Sequence, residues 1–139
     1  MKAIVYRGDQ LLQLLDKEKL DTSKLFTCHR LSELLKDVKK VLDGIGWAWG
    51  PETEYMRNYE EFEELIKGIE VIDPRSYNFR YPTNTKGQAA LPRHTIINPI
   101  GFSRKMDPVL DMLSAAVLEL QMQFDATAEA KFEHQSTIE

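Results

Sequence analysis

Cysteine is nearly absent. Cys28 stands alone, so the chain cannot build an internal disulfide framework, and it suits a reducing compartment. Long apolar runs are missing too: nothing approaches the roughly eighteen residues of a membrane span. The start, MKAIVYRGDQ, meets charge too early for a signal peptide. These absences predict a cytoplasmic protein with no membrane partner. Low-complexity tracts and internal repeats are also lacking. With 139 residues and ordinary hydrophobic content, one domain with one core is expected.

Acidic residues are missing from one long segment. Between Pro74 and Lys105 there is no Asp or Glu, while Arg75, Arg80, Lys86, Arg93, Arg104 and Lys105 supply six cations. The preceding stretch, Glu52 to Asp73, holds eight acids against Arg57 and Lys67. Two explanations remain open. The two segments pair with each other through surface ion pairs of small individual worth, or the basic one faces a phosphate-bearing partner such as RNA or a nucleotide.

Hydrophobic spacing predicts a mainly α protein, a bundle of about four helices within residues 1–125. The first covers Lys2 to Leu15 and ends in the polar loop DKEKLDTSK. The second covers His29 to Leu42, with Leu31, Leu34, Leu35, Val38, Val41 and Leu42 on one stripe and Gly44 as its stop. The third runs from about Glu54 to Ile69, its acids on the solvated face. The last begins at an Asp107 cap with Pro108 in the first turn and ends near Phe124. Along it Met106, Leu110, Leu113, Val117, Leu120 and Phe124 form a heptad-like seam for another helix. That helix belongs either to this chain or to a second copy, so a homodimer or another protein partner is expected. Residues 126–139 lose the pattern and read as a fraying tail. Between the third and last helices, alternation of Tyr77, Phe79 and Tyr81 against Asn78 and Arg80 predicts a short strand. The turn residues PTNTKG and the run HTIIN complete a small hairpin or extended excursion around 76–98.

Templates for chemistry fit poorly. The glycines of GIGWAWG follow a helix, not a strand, so they make a core-covering loop and not a dinucleotide fingerprint. The chain has no phosphate-cradling loop and no nucleophile elbow. Its three histidines, His29, His94 and His134, lack zinc-binding spacing, so no metal and no cofactor are expected. Cys28 beside His29 is read as a partly buried cysteine at a helix start, since catalytic pairs are assembled from distant positions. The weak catalytic candidate is His94. Next to Arg93, and near Arg75 and Arg80 in sequence, it carries the proton-shuttling and phosphate-holding parts of a metal-independent ribonuclease.

The stretch Asp73-Pro74, Ser76-Tyr77, Phe79-Arg80-Tyr81-Pro82, together with the helix start Cys28-His29-Arg30-Leu31, resembles HEPN-domain proteins. Cys28 stands where that family usually has glycine. The resemblance implies an all-α bundle from prokaryotic defence or toxin–antitoxin systems. In active members it implies an RNA-cleaving Arg and His separated by four to six residues. That spacing is missing here. Five to seven positions before His29, His94 and His134 stand Thr22, Ser23 and Lys24, then Gly87, Gln88 and Ala89, then Thr127, Ala128 and Glu129. The resemblance therefore implies a non-catalytic relative, lacking a first helix, whose bundle a partner protomer would complete. A ribonuclease or RNA-binding protein using residues 74–105 is the alternative, and a mobile-element inhibitor of a host factor is the second alternative.

Overall fold

A computed structural model describes residues 1–49, 57–74, 83, 86–89 and 98–136. It is mainly helical. Its helices are α1 (Lys2–Leu14), α2 (Leu31–Gly44), α3 (Tyr59–Ile72) and α4 (Pro99–Ser136). Helix α1 packs on both α4 and α2, and α2 packs on α3, so the packing order is α4, α1, α2, α3. Among the described residues no helix is long and apolar enough to cross a membrane.

Each helix buries the stripe that its spacing dictates. In α1, Ile4, Val5, Leu11 and Leu12 turn inward, and Gly8 sits where α1 meets α2. A Cβ at Gly8 would collide with both methyl groups of Val41, so only glycine permits this approach. Asp9 is buried beside it. Its carboxylate accepts the backbone N–H of Leu20 at 2.8 Å and the Gln13 amide at 2.6 Å. That bond holds the polar connection against the core and keeps Leu20 and Leu25 buried.

Helices α1 and α2 stop in the same way. The N–H of Lys17 reaches Leu12 O and that of Asp16 reaches Gln13 O, with Asp16 at φ 55°. Trp47 and Gly46 repeat the pattern on Leu42 and Asp43, with Gly46 at φ 66°. Both are Schellman ends, in which a left-handed residue lets the chain satisfy the last carbonyls. The stop of α2 is therefore Gly46, not Gly44, which lies inside the helix.

Helix α3 begins at a side-chain cap. Asn58 Oδ1 accepts the Glu61 N–H at 2.9 Å, and Glu61 reaches back to the Arg57 N–H at 2.7 Å. That backbone bond, with the Arg57 guanidinium, holds the Glu61 carboxyl below the usual glutamate range. The expected start near Glu54 lies outside the described residues, and the helix runs three residues past Ile69. Phe62 and Ile66 are buried, and Trp49, Tyr59 and Phe62 form an aromatic cluster between α2 and α3. The Tyr59 hydroxyl donates to Leu35 O at 3.2 Å, and burial raises its pKa.

The last helix departs most from expectation. It spans 38 residues, from Pro99 to Ser136. Its cap is Asn98, whose Oδ1 accepts the N–H groups of Ile100 and Gly101 at 3.1 Å each. Asn98-Pro99 offers the same start chemistry as Asp107-Pro108, and the earlier signal wins. Pro108 lies inside the helix, and Asp107 instead accepts a hydrogen bond from Ser103. The helix also continues past Phe124. Ala126, Ala128, Glu129, Ala130 and Lys131 are strong helix formers, so the lost pattern marks exposure and not a helix end.

The expected hairpin is not seen. Among the described residues there is no strand, only an isolated antiparallel bridge between Thr83 and Ala89 with Gly87 at φ 72° in the turn. Tyr77, Phe79 and Tyr81 lie outside the described residues.

Candidate interaction surface

The residues singled out for chemistry fall into three groups. Arg75, Arg80, Arg93 and His94 lie outside the described residues. Lys86 and Arg104 are exposed, Lys86 beside the Gly87 turn and Arg104 near the start of α4. Cys28 and His29 stand together before α2, at the rim of a cleft of about 420 Å³.

That cleft is apolar. Leu34 of α2, Ile66 and Ile69 of α3, and Met106, Val109 and Leu113 of α4 line it. A neighbouring cleft of about 570 Å³ shares Ile69 and Met106 and adds Leu65, Ile72, Phe102 and Lys105. Both exist because α3 and α4 pack much less closely than the other neighbouring helices. The thiol at the rim is not activated. Burial raises the Cys28 pKa, and the Glu33 carboxylate, 3.3 Å away and accepting the S–H, raises it further. A reactive cysteine needs the reverse, a setting that favours thiolate. No group of three or more His, Cys, Asp or Glu side chains among the described residues is placed to hold a metal ion.

The seam on α4 turns out to be largely internal. Leu120 is fully buried, and Leu113, Val117, Phe124 and Met106 pack against the core of the same chain. Val109 and Ala116, also fully buried, complete that face. Periodicity missed them because it followed Leu110, one position too far round, and because alanine gives little hydrophobic signal. Leu110 points outward and is 52% exposed.

With Leu110 displaced, a second apolar line appears on the opposite side of α4. Leu110, Leu118 and Met122 are 52%, 62% and 59% exposed, with exposed Ser114 and Ala115 between them. Ile100 and Phe132 continue the exposure towards the two ends of the helix. Spacings of eight and four place 110, 118 and 122 on one side of a 3.6-residue helix. Acids flank the line's two ends, all exposed: Asp107 just before Leu110 and Asp111 just after it, with Asp125 and Glu129 beyond Met122.

Three acids of α3 form ion pairs among the described residues. Glu61 pairs with Arg57, just before the helix, at 3.0 Å, and Glu63 pairs with Lys67 inside it at 3.1 Å. Glu70 lies 3.7 Å from Arg30 of the α2 start. The chain matches no protein-family model, and no curated protein or solved structure matches it.

Proposed function

We propose that this chain is a non-catalytic helical interaction or regulatory module, HEPN-like, in a bacterial defence or toxin–antitoxin setting. The observation that carries the reading is the exposed line of Leu110, Leu118 and Met122 along a 38-residue helix. Large apolar side chains exposed together on one side of a helix gain by losing hydration only when something covers them. The FRYP and CHRL stretches carry the HEPN-like part of the proposal.

The test is co-purification of tagged protein from the cells that make it, compared with a Leu118→Asp/Met122→Asp variant. Both positions are exposed, so the variant keeps its helical circular dichroism. The proposal expects a stoichiometric partner with the parent and its loss with the variant. A partner retained equally by both would move the interaction away from α4.

A second reading, RNA binding through residues 74–105, is favoured by the exposure of Lys86, Arg104 and Lys105. It expects RNA affinity to fall steeply with salt, because each phosphate contact releases counterions. Affinity that stays flat from low to moderate ionic strength removes it.

A further inference from the structure

We infer that the outer face of α4 receives a basic amphipathic helix from another protein. The inference rests on the reading of the chain as an interaction module and names the chemistry of its partner. Two properties of the face carry it, and they point to the same occupant.

The first is shape. Leu110, Leu118 and Met122 are spread along about 18 Å of α4 and lie within about a third of its circumference, taking the helical rise and turn per residue. Ser114 and Ala115 keep the middle of the line low, so a second helix can approach closely there. Met122 adds an adaptable contact. A line of this length matches the i, i+3/i+4, i+7 anchors of a partner helix.

The second is charge. Asp107 and Asp111 are one turn apart, as are Asp125 and Glu129, so like charges are stacked on the same face. Asp111 and Glu129 make no ion pair among the described residues. Asp107 and Asp125 accept hydrogen bonds only from neutral groups, Ser103 at 3.1 Å and Gln121 at 2.8 Å. Lys131, the lysine nearest in sequence to Glu129, is committed to Asp16 at 2.8 Å. Arg104 is the one cation on this face among the described residues. The border of the apolar line is thus a set of carboxylates awaiting cations.

The same charges disfavour a second copy of this chain. Antiparallel pairing that sets Leu110 on Met122 brings Asp107 of one copy against Asp125 of the other. Parallel pairing sets each acid against its own image. A partner with lysines or arginines flanking a leucine-rich stripe meets both requirements.

Fluorescence anisotropy with two labelled 18-residue peptides tests this, one with leucine at helical spacing and lysine elsewhere, the other with glutamate replacing lysine. The lysine peptide is expected to bind the full chain, at least tenfold more weakly when Asp107, Asp111, Asp125 and Glu129 are changed to Asn or Gln. Leu118→Ser/Met122→Ser is expected to weaken it similarly. Glu60→Gln, exposed on α3 and lining neither cleft, is expected to change nothing. Equal binding of the glutamate peptide, or full affinity after neutralisation of the four acids, overturns the basic partner while the apolar contact and the module reading stand. Failure of both peptides to bind, or indifference to Leu118 and Met122, overturns the site itself. A parent dimer in sedimentation that Leu118→Asp dissolves makes the occupant a second copy and overturns the inference.

Discussion

Gly8 and Asp9 are adjacent and do different work at the joint between α1 and α2. Gly8→Ala inserts a methyl group into the side chain of Val41, itself fully buried, so the neighbour cannot swing away. Overpacking of this kind costs about 1–3 kcal/mol. A lower urea midpoint with an unchanged m-value checks it, and an unchanged midpoint contradicts it. Asp9→Ala leaves the Leu20 N–H buried without an acceptor, at a cost of about 1–3 kcal/mol, whereas Asp9→Asn keeps an oxygen there and loses less. Cys28 offers a pH-dependent check. Its raised pKa means a smaller thiolate fraction at any given pH, so iodoacetamide should modify it more slowly at neutral pH than an unstructured cysteine peptide. The rate should climb as pH rises through and beyond the usual thiol range. Glu33→Gln removes one of the causes and should speed the reaction. Faster modification than the peptide at neutral pH would contradict the geometry at the cleft rim.

Among the helices, α4 separates what local signals can and cannot decide. Asn98-Pro99 and Asp107-Pro108 are equivalent start signals nine residues apart, and sequence spacing alone has no means to rank them. Contact decides, since Met106 packs against the core and Phe102 lines the cleft beside α3, so the turns before Asp107 are helical. Asn98→Ala should therefore cost about 1 kcal/mol through the lost cap, and Asp107→Ala little. Pro108→Ala should stabilise the protein by up to about 3 kcal/mol, because it restores an N–H to a helix interior. Thermal unfolding of the three variants checks the order. The stripes of α1 and α2 were readable because Ile4, Leu11, Leu34, Leu35 and Val38 are large and regularly spaced. The inward face of α4 was readable only in part. Ala116 carries no pattern, and Leu110 belongs to a second apolar face that single-stripe reasoning merges with the first.

At the scale of the whole molecule, α4 is far longer than the other helices among the described residues, and acids flank its outer apolar line. The mainly helical class followed from periodicity, and the outer line did not, because only tertiary packing distinguishes a covered leucine from an uncovered one. Among the described residues, Glu61 pairs with Arg57 just before α3, Glu63 with Lys67 inside it, and Glu70 with Arg30 at the start of α2. The central claim is that the chain acts by binding and not by cleaving RNA. Incubation of purified protein with end-labelled RNA in the presence of EDTA tests it most directly, with His94→Ala alongside. The account predicts intact RNA with both proteins. Metal-independent cleavage by the parent that disappears in His94→Ala would contradict it.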